Sequence, residues 1–240
     1  VVINDRWGEV RGKHGGYFTT EYGAGFDDPD VLWEENRGIG MSFGFNREES
    51  FEDYNSAEHL ILMLVDTVSR GGNLLLDVGP TSDGRIPVIM EERLAEIGAW
   101  LEINGEAIYG SRRWVKDAQW SAGAKPEFTK EDHHTGSALT ESTIHPKPGN
   151  ASREALFTSK GSTLYSLCPG WPVGKTLVIR DVMPSAATDV SLLGLEKKLA
   201  WKRVDNSIEI DLTNIGINDL PCDYVFTFKL TDIKPHSTED

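Results

Sequence analysis

The spacing of apolar residues changes once along this 240-residue chain, near Arg112, and that change limits the fold more than any other feature. Before it, apolar residues recur at helical spacing between short β-branched or leucine runs. Ala57, Leu60, Ile61, Leu64, Val65 and Val68 mark one face of a helix. Asn55 stands at the N-cap position, and Glu58 three residues on completes a capping-box pattern. Arg70 suits the C-terminal end of the dipole, and Gly71-Gly72 stops the helix. Leu74, Leu75, Leu76 and Val78 read as a buried strand ended by Gly79-Pro80. A second helix follows Pro87, carries Ile89, Leu94, Ile97 and Leu101, and is expected to stop at Gly105. Val1, Val2 and Ile3 form a β-branched run suited to a strand covered on both faces. Arg37–Asn46, with Gly38, Gly40 and Gly44, reads as another strand in tight packing. The order strand, long loop, strand, helix, strand, helix predicts a parallel sheet with helices packed on it. Three strands are too few for a closed eight-stranded barrel, which typically needs ~250 residues.

From Trp114 onward the apolar period is 2. Thr163–Cys168, Thr176–Val182, Val190–Leu195, Ser207–Leu212 and Tyr224–Leu230 alternate and are separated by Gly, Pro, Asn and Asp clusters, which predicts an antiparallel sandwich. Ser121–Asn150 is polar and irregular, an expected exposed loop. Within it Asn150-Ala151-Ser152 fits the short glycosylation-acceptor pattern. Lys234–Asp240 reads as a disordered tail. Charge shifts at the same place. Residues 1–112 hold nine Lys and Arg against 21 Asp and Glu, a net of −12, and residues 113–240 hold 15 against 17, a net of −2. The expected division is therefore an α/β unit at 1–112 and an all-β unit at 113–240. A net charge of −14 argues against nucleic acid as a partner. No apolar run is long enough for a transmembrane helix, so no membrane partner is expected. Cys168 and Cys222 are too few and too far apart for a disulfide framework or metal site and read as buried thiols. The chain opens without a charged leader, so its start reads as cut and carries no targeting information.

The stretch from Gly8 to Glu35 shows neither period. Long loops of this kind inside compact domains are often functional. It holds His14, Tyr17, Glu21 and Tyr22 among glycines that permit close backbone approach, and aromatic faces suit a sugar ring. It follows Asn4, Asp5, Arg6 and Trp7 at the end of the first strand, and strand C-termini carry the chemistry in parallel α/β architectures. On composition alone an acidic surface loop fits equally well.

VVINDRWG, HGGYFTTEYG, GGNLLLDVGP, DGRIP and LEINGEAIYG, in that order, resemble the C-terminal part of family 29 α-L-fucosidases. GSTLYSL with a following Trp-Pro pair extends the resemblance over nearly the whole chain. It implies the last three β/α units of a (β/α)8 barrel followed by a β-sandwich. It implies retaining hydrolysis of terminal α-L-fucosyl residues from a fucosylated glycan, with no cofactor and no metal. The family's general acid/base falls on Glu21. Arg6 is implied to sit beside the nucleophile and the bound sugar, and Phe43 to supply an apolar wall for the fucose methyl. The family's aspartate nucleophile precedes VVINDRWG, so an upstream barrel portion is an implied partner. A secreted, periplasmic or lysosomal setting suits this better than a nuclear one. A homo-oligomer stays open. At Asp77 the family usually has Asn.

A retaining glycosidase needs one carboxylate to attack the anomeric carbon and another to protonate the leaving oxygen. Tyr17, Phe18 and Tyr22 are expected to wall Glu21, which would disfavour its ionised form. Glu9, Asp27, Asp28, Glu34 and Glu35 are rivals in the same loop. For Arg6, an ion pair with Asp5 or another neighbour is the plain alternative; for Phe43, a place in the core. For the chain as a whole the alternative is a non-catalytic carbohydrate-binding or structural fragment, because a sandwich alone implies no function.

Overall fold

The computed structural model describes residues 3–6, 16–26 and 28–235. Three strands, β1 (Phe18–Glu21), β2 (Trp33–Gly38) and β3 (Asn73–Asp77), form a sheet in that order. Both pairings are parallel, and a parallel bridge joins Asn4 to Tyr17 on the outer side of β1. Helices α1 (Ala57–Ser69) and α2 (Val88–Ile108) follow β2 and β3. The chain then runs through β4 (Arg112–Trp120), two short helices α3 (Lys130–Thr135) and α4 (Ser137–Thr143), and β5 (Arg153–Lys160). The remaining strands are β6 (Thr163–Pro169), β7 (Thr176–Arg180), β8 (Val182–Pro184), β9 (Val190–Leu192), β10 (Trp201–Val204), β11 (Ser207–Asp211), β12 (Val225–Leu230) and β13 (Ile233–Pro235). They make a five-stranded antiparallel sheet in the order β4-β5-β6-β12-β9, a three-stranded sheet β10-β11-β7, and the pair β13-β8.

The five-stranded sheet is covered on both faces. Ala155, Phe157, Leu164, Cys168, Phe226 and Phe228 point toward Ile179, Ile208 and Ile210 of the three-stranded sheet. Leu156, Tyr165, Leu167 and Val225 point the other way, against Leu60, Ile61, Met90 and Trp100 of α1 and α2. Period-2 alternation sends successive side chains to opposite faces, so each central strand feeds two cores. This is why Thr227, on what would be a solvent face in a free sandwich, is fully buried. Polar contacts pin the helices to the sheet. Trp100 Nε1 donates to Val225 O at 2.9 Å, Thr158 Oγ1 to Ala107 O at 2.7 Å, and the Tyr165 hydroxyl to a Glu106 carboxylate oxygen at 2.7 Å. That last contact and burial push the Tyr165 phenol well up, with burial the larger cause.

Several expectations change. The strand expected at Val1–Ile3 falls partly outside the described residues; Ile3 is exposed, its carbonyl accepts from Tyr17 N, and among the described residues of this stretch Asn4 alone forms a β-bridge. The supposedly featureless stretch contains all of β1 and begins β2. The second strand is Trp33–Gly38, and Ile39–Asn46 is an irregular, bent segment at its C-terminal end. Its polar sequence WEENRG hides a strand because Glu35 and Arg37 are buried as a mutual ion pair and so leave no apolar pattern. The cap of α1 is Ser56, which accepts from His59 N at 3.2 Å, while Asn55 Nδ2 donates back to Ile39 O. Gly105 does not end α2, which continues to Ile108, and Tyr109 packs where a Gly105 side chain would sit. In β3, Leu75 is half exposed. Ser121–Asn150 holds α3 and α4, with Ala138 and Ser142 buried. Lys234 and Pro235 belong to β13 rather than to a tail. Of the two thiols, Cys168 is buried and pushed up to about 12 by desolvation, while Cys222 is half-buried; both are free.

Candidate functional site

The C-terminal ends of β1 and β2 gather the residues of interest. Along β1, Thr19 and Glu21 share one face and Phe18 and Thr20 the other. Glu21 meets Arg6 on its face, with Nη2 to Oε1 at 3.0 Å and both side chains about half exposed. Arg6 Nε also donates to Thr19 Oγ1 at 2.6 Å, and Asp5 Oδ1 accepts from Thr19 N at 3.0 Å and Oγ1 at 2.7 Å. The turn after Asn4 is thus tied to the strand that presents Glu21. Arg6 pairs with the candidate acid itself rather than with Asp5.

Of the aromatics expected to wall Glu21, Phe18 lies elsewhere and Tyr22 lines the cavity beside it. Phe18 sits on the opposite face, 5.5 Å from Phe26, which in turn approaches Trp33. Gly72 and Gly25 pack on that indole so closely that a Cβ on either would fall within 2.5 Å of it. Tyr22 has a left-handed φ of 47°, which turns its ring away from the strand. The ring takes the Arg37 guanidinium at 5.4 Å, the Phe43 edge at 5.1 Å and His134 at 5.3 Å. Its hydroxyl accepts from Gly38 N at 3.0 Å. Burial raises the phenol, partly opposed by Gly38 and Arg37 and reinforced by Glu49 and Asp77. Phe43 is partly exposed and rests on Tyr22, outside both apolar cores.

A second layer fixes the turn after Glu21, and sequence reasoning missed its role. Glu35 accepts from Gly23 N at 2.9 Å and from the Thr20 hydroxyl. Arg37 donates to Glu35 Oε1 at 2.8 Å, to Gly23 O at 3.1 Å and to His133 O at 2.7 Å. Both peptide groups of Gly23 are therefore held by one buried ion pair. Glu35, counted among the rival acids, is committed to this work. The readable signal was the Glu-x-Arg spacing, which puts both side chains on one strand face.

Beneath lies a cavity of about 220 Å³ lined by Glu35, Arg37, His59, Asp66, Arg70 and Arg153, among others. Burial alone would raise the Asp66 carboxyl, but Arg70 and Arg153 outweigh it and hold it far below the usual carboxylate range. His59 is lowered to about 4 by burial and by Arg37. Nearer the surface, a cavity of about 410 Å³ opens beside Glu21, lined also by Tyr22, Gly23, Ala24, Lys130, Glu131, His133 and His134. No group of three or more metal-ligating side chains occurs among the described residues.

Comparison with solved structures places this fold beside glycoside hydrolases. The α-fucosidase of Thermotoga maritima in complex with fucose superimposes with a TM-score of 0.69 at 32% identity, over 96% of this chain and 45% of that one. The family model described as alpha-L-fucosidase matches residues 1–106, and that of the alpha-L-fucosidase C-terminal domain matches residues 150–231. Human tissue alpha-L-fucosidase is 33% identical over 98% of this chain, and rat plasma alpha-L-fucosidase 35% identical over 97%. The chain belongs to the α-L-fucosidase family. It spans a little under half the length of these relatives, 45% and 46%.

Proposed function

We propose that this chain supplies the acid/base side of a retaining α-L-fucosidase site, acting on terminal α-L-fucosyl residues of glycans. In this reading β1, β2 and β3 with their helices are the last units of a (β/α)8 barrel. The aspartate nucleophile comes from barrel residues outside this chain. The observation that carries the reading is the position of Glu21. It ends a parallel strand, stays solvent-accessible and pairs with Arg6 at 3.0 Å in the motif that resembles the family's acid/base segment.

The chemistry follows from two carboxylates. As the nucleophile attacks the anomeric carbon, Glu21 gives its proton to the departing glycosidic oxygen. It then takes a proton from the water that opens the glycosyl-enzyme intermediate. Arg6, permanently charged, holds the Glu21 carboxylate over the strand end and presents a fixed charge toward the sugar. Phe43, seated on Tyr22, offers an apolar face to the fucose methyl; such a contact is worth ~1–3 kcal/mol of discrimination.

The test is Glu21→Gln in the full-length enzyme. General acid catalysis contributes ~10²–10⁴-fold, and that loss should appear with poor leaving groups and shrink with activated aryl fucosides. Equal loss on both, or none, refutes the assignment.

A further inference from the structure

The cavity beside Glu21 has walls of two origins. Glu21, Tyr22, Gly23 and Ala24 fall within the family-matched residues 1–106. Lys130, Glu131, His133 and His134 fall between the two matched stretches, which end at 106 and resume at 150. The second wall is fixed to the first. Arg37, which grips the turn after Glu21, also donates to the carbonyls of His133 at 2.7 Å and His134 at 3.4 Å. The His134 ring lies 5.3 Å from Tyr22. Thr129 and Asp132 form a reciprocal cap on α3, and Gly136 beyond it packs against the His59 ring so closely that a Cβ would fall 2.6 Å from Nε2. The volume, about 410 Å³, lies in the ~300–1,000 Å³ range of ligand pockets.

We propose that this cavity is the leaving-group subsite, and that α3 selects the sugar on the far side of the fucosidic bond. The inference rests on Glu21 as the acid, since the group that protonates the leaving oxygen must face the leaving group. The chemistry of the wall defines the occupant as an uncharged, hydroxyl-rich pyranose. Lys130 and Glu131, adjacent and exposed, offer a donor and an acceptor with no net charge. His134 and Tyr22 offer ring surface to an apolar sugar face. The fucose end is then built within the matched residues 1–106, and the aglycone end from the stretch between the two matched ranges.

The experiment compares two substrates of the full-length enzyme. α-L-Fucosyl fluoride has a leaving group too small to reach α3, and 2′-fucosyllactose places a galactose there. The readout is the ratio of kcat/KM for the two in Lys130→Ala/Glu131→Ala and in His134→Ala. The expected result is a fall of about tenfold in the oligosaccharide-to-fluoride ratio, from a higher KM. A ratio within twofold of the parent in both variants overturns the subsite. Because each ratio is taken within one protein, a loss of folded enzyme lowers both substrates together and cannot mimic the effect. A parent enzyme inactive on both substrates overturns the fucosidase reading, and this inference with it. An active parent with unmoved ratios overturns this inference alone.

Discussion

Replacing Arg37 with methionine should be among the most damaging single changes in the molecule, although Arg37 is a member of neither apolar core. Its side chain is 9% exposed and that of its partner Glu35 is 4% exposed. Methionine removes the donor to Glu35, to Gly23 O and to His133 O, and leaves a carboxylate buried with only the Gly23 N–H and the Thr20 hydroxyl. Breaking one side of a buried pair costs roughly 3–5 kcal/mol. At ~2–4 °C per kcal/mol for a chain of this size, the midpoint should fall by about 6–20 °C. Arg6→Met breaks the half-exposed pair with Glu21, where ~1 kcal/mol is an upper figure. Thermal unfolding of the two purified variants, followed by far-UV circular dichroism at pH 7, makes the comparison. Adding Glu35→Gln to Arg37→Met should recover part of the loss, since the amide still accepts from Gly23 and carries no charge. If Arg37→Met lowers the midpoint by less than about 2 °C, or no more than Arg6→Met does, the buried clamp does not hold this region together.

Other outcomes are open to simple assays. Arg6→Lys loses the planar fork that spans Thr19 and Glu21 and should lower kcat/KM by at least tenfold; near-normal kinetics would reduce the pair to a surface contact. Phe43→Ala should narrow the preference for fucosides over substrates lacking the C5 methyl by about 5- to 160-fold; unchanged preference removes it from the sugar site. His59, lowered to about 4 when folded, binds its proton more tightly when unfolded, near 6.5. Stability should therefore fall as pH drops from 6.5 to 4, by roughly 2–3 kcal/mol, and denaturant titrations of His59→Gln should show a flatter slope across that window.

The helices and alternating strands were legible because their signals are local. The face from Ala57 to Val68 and the alternation of Phe226, Phe228 and Leu230 can each be read from a dozen residues. The strand Trp33–Gly38 was not legible, because burial there is achieved by neutralising charge. The helices within Ser121–Asn150 were missed because each is under two turns long, too short for a period to register. Glu21 and Arg6 could be named from motif position, but their pairing could not, since it depends on the turn that brings Asp5 and Arg6 over Thr19. The clamp on Gly23 needed three-dimensional information: its donor and acceptor lie 12 to 14 residues from the glycine, and Arg37's further contact with His133 is 96 residues along the chain from Arg37.

The double-sided burial of the five-stranded sheet bears on how such a gene can be cut and rejoined. A junction near residue 111 looks like a natural seam, since the parallel strands with α1 and α2 lie on one side and the antiparallel strands on the other. Yet Trp100 rests on Val225, and Leu60 and Ile61 share a core with Leu156 and Leu167. A recombinant with a foreign sandwich would have to reproduce that contact surface as well as the fold. A premature stop before β12 would remove Val225 from beneath Trp100 while leaving every residue of the turn after Glu21 in place. Exchange at that seam should succeed mainly between close relatives, which leaves the short stretch around α3, held by Arg37, Tyr22 and His59, as the place where such proteins can diverge with the least rebuilding of either core.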